Sequence, residues 1–328
     1  MIRGLWVLLA TLLLGGCDLC WPRGGSLGAQ CSGAADDDDT SDDDDTSDDD
    51  DTGDDDDAGD DDDATSDPCD GDFGGSVIDA AGYVVHCVEP DTFWMGSPTT
   101  DPDGRPDELM HRVQITRPFL LGRTEVTQVL WQEVWGAPVS SCLYGCSDTH
   151  PANSVSWLAA VEWLNILSVA EGLEPVYDLD TLPNDAVADW SANGWRLPTE
   201  AEWEFAARAG EVEAFSGSDD WELVAWCGGA ADPPYEARSV GEKAGNLWDF
   251  VDMSGNVAEW VWDVDGDYPS SGTDVDPTGP GPQGFTRVHR GGNFAATNAV
   301  ECRAARRYSS FTTDTNWNRG FRIARTVD

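Results

Sequence analysis

The chain has 328 residues, of which 63 are acidic and 18 basic, so its formal net charge at pH 7 is −45. Such a chain has little with which to neutralise phosphate groups, and nucleic acid is therefore excluded as a partner. Only four histidines occur, too scattered for a histidine-rich metal centre. We interpret them as loop or packing residues: His86, His111, His150 and His289.

The N-terminus is predicted to be an export signal. One basic residue, Arg3, precedes an apolar run over residues 5–14 that is too short for a permanent membrane span. The run ends in LGGC, which resembles a bacterial lipobox, in which the signal is removed before a lipidated cysteine. We therefore predict residues 1–17 as a lipoprotein signal peptide and Cys17 as the lipidated residue, which places the protein in the bacterial cell envelope. An ordinary signal peptide cut nearby is the alternative.

An acidic tract follows the signal. Residues 36–63 contain 20 aspartates and no apolar residue larger than alanine, so this stretch cannot bury a core. At ~3.3 Å per residue it extends to at most ~90 Å. We predict residues 18–68 as a disordered stalk that holds the rest of the chain off the membrane. Weak capture of divalent cations is the alternative, although a mobile tract lacks the fixed geometry of a selective calcium site.

Residues 69–328 have the size of one domain and contain 14 of the 16 tryptophans, which predicts an aromatic core. Short alternating stretches separated by glycine and proline predict strands and long loops. Strands are predicted over residues 92–97, 113–127 and 320–327. The second of them leads into a short predicted helix at 127–136.

Two longer helices are predicted. Residues 156–172 have an apolar face, with Ser156 as the N-cap. Residues 196–210 begin with a capping box formed by Thr199 and Glu202, and Arg196 is predicted to pair with an acid of this helix. Two helices among loops and short strands indicate the α+β class.

The cysteines favour disulfides. With Cys17 assigned to lipid, eight remain, and an even number in an exported protein is typical of disulfide pairing. Cys-x3-Cys without a second matching pair argues against zinc, which is the alternative. The suggested pairs are Cys142–Cys146, Cys69–Cys87 and Cys227–Cys302.

Several segments, taken in order over roughly residues 88–326, resemble the formylglycine-generating enzyme family, also called the sulfatase-modifying factor domain. The most specific are RLPTEAEWE (196–204) and DMSGNVAEW (252–260), supported by RVHRGGNF (287–294) and NRGFRIAR (318–325). The resemblance implies a variant of the C-type lectin fold with few helices, short strands and long loops.

The resemblance also implies a calcium ion at DMSGNVAEW. Carried over by position, its ligands are a side-chain oxygen of Asp252, the carbonyls of Gly255 and Val257, and the carboxylate of Glu259. Hard oxygen ligands of this kind suit calcium. A metal-free turn closed by the same acids is the alternative.

The family's oxidase binds copper(I) through two cysteines and converts a substrate cysteine into formylglycine. In an ungapped alignment those cysteines fall on Ala296 and Glu301, and Cys302 is one residue away from the second. A one-residue gap would bring Cys302 into place, but the segment holds no second thiol. A lone thiol cannot build a two-coordinate copper site, so Cys302 is only a weak catalytic candidate. We therefore expect neither copper nor formylglycine synthesis, with a formylglycine-generating oxidase acting on sulfatase-like substrates as the alternative.

Binding of a partner is the remaining class of function. Related folds serve as display platforms in hypervariable surface proteins, in which the segment between RGG and GFR carries the contacts. Aromatic and small polar side chains on a rigid frame suit recognition, although the aromatic ones could instead belong to the core. We expect a lipid-anchored binding or assembly module whose partner is an extracytoplasmic protein, peptide or glycan. The candidate contacts are Asn293, Phe294, Asn298, Tyr308, Phe311, Asn316 and Trp317.

Overall fold

The computed structural model describes residues 69, 78, 81–139, 144–181, 187–227, 236–281 and 284–327. All of them fall in one unit of the chain, Asp63–Asp328. The predicted signal peptide with Cys17, the stalk over 18–68 and Cys142 lie outside the described residues. Within the described part, no helix is long and apolar enough to cross a membrane.

The described residues form short helices and strands joined by long loops, as predicted. The helices are α1 (Gln128–Trp135), α2 (Trp157–Ala170), α3 (Glu200–Arg208) and α4 (Trp221–Val224). The strands are β1 (Val85–Val88), β2 (Thr92–Met95), β3 (His111–Gln114), β4 (Phe119–Gly122), β5 (Tyr177–Asp178), β6 (Val187–Ala188), β7 (Ala258–Val264), β8 (Thr273–Val275), β9 (Thr286–Arg290), β10 (Arg307–Phe311), β11 (Arg319–Phe321) and β12 (Ala324–Thr326). Turns of 3-10 helix lie at Pro106–Glu108, Leu179–Thr181 and Ala299–Cys302.

A four-stranded sheet in the order β10-β9-β7-β11 supports the C-terminal half of the domain. Strand β7 is antiparallel to β9 and parallel to β11. The register places Tyr308, His289, Trp260 and Phe321 in one row across the sheet. Three smaller sheets, β1-β4-β12, β2-β3-β8 and β5-β6, complete the described strands.

The prediction of a single terminal strand over 320–327 is wrong. Strand β11 pairs with β7, whereas β12 pairs with β4 in another sheet. Between them lies Arg322, which is fully buried and bonds to Glu259 on β7. The alternating sequence pattern does not reveal that the chain passes from one sheet to another at this point, because both halves bury the same kind of side chain.

The strand predicted over 113–127 is also divided. Strand β3 ends at Gln114 and β4 begins at Phe119, and the two belong to different sheets. Pro118 lies directly before β4. Proline has no backbone N–H and cannot donate a hydrogen bond to a neighbouring strand.

The predicted helix starts are confirmed. Ser156 Oγ accepts from Ala159 N at 3.1 Å, and Thr199 and Glu202 form the capping box. Arg196 pairs with Glu202, Nη1 to Oε2 at 2.6 Å. The four-residue α4 was not predicted, because one turn is too short to show a periodicity.

The core around α2 is aromatic, as the tryptophan content predicts. Trp131 and Trp163 stack with ring centroids 6.0 Å apart, and Phe321 meets Trp163 edge-on at 5.4 Å. Buried indoles also hold segments together, because Trp157 Nε1 donates to Val261 O and Trp260 Nε1 donates to Val155 O, each at 2.9 Å.

Candidate functional site

The segment 293–318 begins directly after strand β9 and its two glycines. Gly292 has φ +67, and a Cβ built there would lie 2.6 Å from Cys302 Sγ. Only glycine allows the chain to turn so closely against Cys302. The segment then forms the 3-10 turn Ala299–Cys302 and strand β10 before it reaches β11.

Cys302 forms a disulfide with Cys227, the pairing suggested from the sequence. Cys302 is fully buried, and Cys227 retains 5 % of its accessible surface. The sulfur of the weak catalytic candidate is therefore bonded and is not a free thiol. The bond joins the 3-10 turn to the end of the α4 segment.

The two positions predicted by the ungapped alignment to correspond to the oxidase cysteines are Ala296 and Glu301. Ala296 is buried beside the disulfide in a small apolar cluster. Glu301 is half-buried, and its Oε1 accepts from Thr297 Oγ1 at 3.1 Å. A methyl group and a carboxylate cannot provide soft ligands for copper(I).

A second disulfide joins Cys69 to Cys87, which was also suggested from the sequence. Cys146 is disulfide-bonded as well, and its suggested partner Cys142 lies outside the described residues. Disulfides of this kind persist in oxidising compartments.

Three aromatic side chains form a platform at the surface. Tyr144 and Trp317 stack with centroids 4.3 Å apart, and Phe294 meets Trp317 at 5.3 Å. All three are half-buried, so each keeps part of its ring accessible. We call Tyr144, Phe294 and Trp317 the aromatic platform. Tyr144 was missed as a contact residue, because the sequence shows it only as a residue between two cysteines.

The other sequence-predicted contacts are spread along the segment. Asn293, Asn298 and Asn316 use their side-chain oxygens to accept nearby backbone N–H groups within turns. Tyr308 stacks on His289 within the sheet, whereas Phe311 is 60 % exposed at the end of β10. Of the seven predicted contact residues, only Phe294 and Trp317 have rings that contact each other.

Two cations lie over the Trp226 ring, and a backbone contact links Trp226 to the aromatic platform. Asn256 connects the two regions, because its carbonyl accepts from Phe294 N and its own N–H donates to Trp226 O. Lys243 Nζ lies 4.2 Å from the Trp226 ring centroid, and Arg238 Cζ lies 5.5 Å from it. Two positive charges thus lie over one aromatic ring in an otherwise acidic protein.

Asp252, the first predicted calcium ligand, is almost fully buried. Its Oδ2 accepts from Gly241 N at 2.7 Å, while Oδ1 has no hydrogen-bond partner among the described residues. Burial raises the pKa of Asp252 to about 6. Glu125, which the sequence did not indicate, also has a buried unpaired oxygen, and burial together with Asp252 raises its pKa well above the usual range.

Glu259, the second predicted anionic ligand, is already paired. Its two carboxylate oxygens accept from Arg322 at 2.6 and 2.7 Å, and Trp203 Nε1 donates to the same group at 2.8 Å. The guanidinium already neutralises this carboxylate. The motif therefore fits a calcium ion in part: Asp252 offers an unused oxygen, and Glu259 would have to share its charge with Arg322.

The chain matches a known protein family. Residues 83–327 match the model of the Sulfatase-modifying factor enzyme 1-like domain. The chain is 30 % identical over 210 residues to the chaperone protein LppX of Paenibacillus barcinonensis, covering 55 % of this chain and 70 % of that protein. It is 34 % identical over 161 residues to the formylglycine-generating enzyme of Streptomyces coelicolor, covering 44 % of this chain and 51 % of that enzyme.

Solved structures support the same fold. The chain is similar to Treponema denticola variable protein 1 with a TM-score of 0.65 and 30 % identity, covering 74 % of this chain and 95 % of that one. It resembles PvdO from Pseudomonas aeruginosa in fold, with a TM-score of 0.60 and 22 % identity over 74 % of this chain and 94 % of that one. The fold expected from the sequence is confirmed.

Proposed function

Since this chain belongs to the family of sulfatase-modifying factor enzyme 1-like domains, we propose that it is a ligand-binding or assembly module and not a formylglycine-generating oxidase. The observation that carries the proposal is the disulfide between Cys227 and Cys302. It occupies the sulfur nearest to the oxidase cysteine positions, and those positions hold Ala296 and Glu301. The chemistry of the oxidase needs two free thiolates, and the Cys227–Cys302 pair supplies none while it is held as a disulfide.

The similarity to a chaperone also supports a role without oxidation. A relative named as a chaperone aligns over 70 % of its length, more than the formylglycine-generating enzyme does. The aromatic platform offers accessible rings on a disulfide-linked frame, an arrangement that suits recognition of a protein, peptide or glycan. We infer that this platform is the centre of the contact surface.

We propose that the domain lies outside the cytoplasm, anchored through lipid at Cys17 and held by the stalk. The disulfides Cys69–Cys87 and Cys227–Cys302 support export, because such bonds form in oxidising compartments. Fatty-acid labelling of the full chain, compared with a Cys17→Ser variant, tests the anchor. Equal labelling of both chains would rule it out.

Calcium at Asp252 belongs to the same proposal. The unused Oδ1 supports it, and the Arg322 contact at Glu259 limits the charge available to the ion. Calorimetric titration of the chelator-treated domain with calcium tests it, with Asp252→Asn as the variant expected to lose binding. Absence of saturable binding to the parent protein would remove calcium from the proposal.

We expect no formylglycine when the purified domain is incubated with copper and a Cys-x-Pro-x-Arg peptide. Product is scored by the mass of the peptide, with the Streptomyces coelicolor enzyme as the positive control. The Cys302→Ser variant should behave as the parent protein does. Formylglycine formed by the parent above the Cys302→Ser level would show that the alternative, an oxidase, is correct.

The aromatic platform predicts a specific loss of binding. Labelled domain is screened on peptide and glycan arrays, and the affinity for each hit is then measured with Trp317→Ala. Loss of a stacked ring at the centre of a contact should weaken binding by about tenfold or more. Trp94→Ala is the matched control, because Trp94 is also a surface indole, 54 % exposed, and lies on β2 outside the platform. An equal or larger loss with Trp94→Ala than with Trp317→Ala would place the contact surface elsewhere.

A further inference from the structure

A cavity of about 430 Å³ lies beside the start of α3. Its walls come from the first residues of α3, the end of β7, strand β8 with the loop that follows it, and Arg307 of β10. The volume falls within the range of about 300–1,000 Å³ that small-molecule sites occupy. Tyr144, Phe294 and Trp317 do not line this cavity, so it is separate from the aromatic platform.

The walls of the cavity are acidic, and we call it the acidic cavity. Its one arginine, Arg307, is already engaged: Nε and Nη2 donate to Glu200 at 2.9 and 2.7 Å, and Nη1 donates to Gly266 O at 2.6 Å. Glu200 is therefore neutralised. The other carboxylates in the walls form no ion pair within the described part of the chain, and they are Asp263, Asp267, Asp274 and Asp276.

Asp263 is the most deeply placed of these carboxylates. It lies at the end of β7 and retains only 4 % of its accessible surface. Its Oδ2 accepts from Glu200 N at 2.7 Å, whereas Oδ1 accepts from no described residue. Gly279, which also lines the cavity, faces that second oxygen, because a Cβ built on Gly279 would lie 3.3 Å from Oδ1. The missing side chain at Gly279 thus leaves Oδ1 open to the cavity.

The negative charge of Asp263 is poorly compensated. Burial, together with Glu200, raises the pKa of Asp263 to about 8. Arg307 and Arg287 act on Asp263 electrostatically, but neither forms an ion pair with it. Arg307 is bonded to Glu200, and Arg287 Nη1 donates to Trp262 O at 2.5 Å. Because buried charges are costly without a partner, a cation in the cavity would stabilise the ionised form of Asp263.

The arrangement of the oxygens selects the kind of cation. A guanidinium prefers both oxygens of one carboxylate, and Asp263 has only one to offer. Calcium takes about six to eight oxygens at ~2.3–2.6 Å, and a cavity of this volume is far larger than such a coordination shell. An ammonium group is a compact charge with rotatable donors, which suits single oxygens on separate side chains. Asp267 and Asp274 offer further oxygens, whereas Asp276 already accepts from Thr116.

Apolar side chains complete the walls of the acidic cavity. They are Met95, Val264, Pro269, Pro277 and Pro280. Small-molecule sites combine apolar walls of this kind with a few polar groups that fix the orientation of the ligand. A cation that carries an alkyl chain can contact both kinds of wall, which a bare metal ion cannot do.

We propose that the acidic cavity binds a primary alkylammonium group, with Asp263 as its main acceptor and Asp267 and Asp274 as further acceptors. A free amine and the side chain of a lysine on a partner protein share this chemistry. The proposal does not depend on the aromatic platform, so the two can fail separately.

The test is a calorimetric titration of the full chain with n-butylammonium and with Nα-acetyl-lysine amide. Tetramethylammonium, which has no N–H donor, and sodium are titrated at equal ionic strength. We expect saturable binding of at least one primary ammonium, at least about tenfold tighter than tetramethylammonium. Tighter binding of Nα-acetyl-lysine amide identifies a lysine side chain as the source, and tighter binding of n-butylammonium identifies a free amine. Binding no tighter than that of tetramethylammonium or sodium would overturn the proposal.

Variants assign the binding to the cavity, because the aspartate tract at 36–63 is the same in all of them. Asp263→Asn should weaken the affinity by at least about tenfold, since it removes the charge but keeps an acceptor for Glu200 N. Asp265→Asn is the matched control: Asp265 is exposed and does not line the cavity, so its loss should change the affinity by less than about twofold.

Equal losses in Asp263→Asn and Asp265→Asn would show that binding reflects only the general acidity of the chain, and would contradict the assignment. If Asp263→Asn fails to fold, Asp274→Asn takes its place, because Asp274 lines the cavity from β8 and is only half-buried. We expect Asp274→Asn to weaken binding by about threefold or more relative to Asp265→Asn. No difference between these two variants would likewise refute the site.

Discussion

Replacing Arg322 with methionine is expected to destabilise the domain by about 3–5 kcal/mol, the cost of leaving a buried charge without its partner. Arg322 and Glu259 are both fully buried, and the guanidinium contacts both carboxylate oxygens. Arg322 also donates to the carbonyls of Gly122, at the end of β4, and of Val251, so it connects the divided C-terminal strand to two other segments of the chain. Urea unfolding, followed by tryptophan fluorescence, measures the change.

Two variants separate the charge effect from loss of packing. Arg322→Met combined with Glu259→Gln should recover part of the loss, because glutamine carries no charge and still accepts from Trp203. Arg123→Met should cost less than about 1 kcal/mol, since the Arg123–Asp249 pair is exposed. Equal costs for Arg322→Met and Arg123→Met would contradict the assignment of Arg322 as a central buried charge.

Removal of the Cys227–Cys302 disulfide is expected to cost about 4 kcal/mol. The bond spans 75 residues of sequence, and a crosslink over a longer loop restricts the unfolded chain more. The variant is Cys227→Ala/Cys302→Ala, which leaves no unpaired thiol at this site. The free energy of unfolding is measured under oxidising conditions by urea titration.

The second disulfide provides the comparison. Cys69→Ala/Cys87→Ala removes a bond that spans only 18 residues and should cost about 3 kcal/mol by the same relation. Adding a reductant should bring the parent protein toward the less stable variants. If loss of Cys227–Cys302 cost less than loss of Cys69–Cys87, restriction of the unfolded chain could not be its main contribution.

Local sequence signals located the helices well. The Ser156 cap and the Thr199–Glu202 capping box involve residues a few positions apart, so short-range hydrogen bonds decide them. The paired cysteines could be suggested because an even number of thiols in a chain with a predicted export signal is typical of disulfide pairing. The divided strand around Arg322 could not be predicted, because an alternating pattern does not show which sheet each half joins.

The candidate site shows the same limit. Phe294 and Trp317 were expected at the surface by position, but Tyr144 joins them from a loop more than 140 residues earlier in the chain. Glu259 was expected to face a metal, and only the packed structure places Arg322 against both of its oxygens. Contacts between residues so distant in sequence leave no local signature.

The sequence by itself determined the family and the α+β class, because these depend on residue identity and short spacing. The tertiary structure decided that Cys302 is bonded and that Glu259 is already neutralised. The physical reason is that charge pairing and burial depend on which distant segments meet, and the fold alone brings them together.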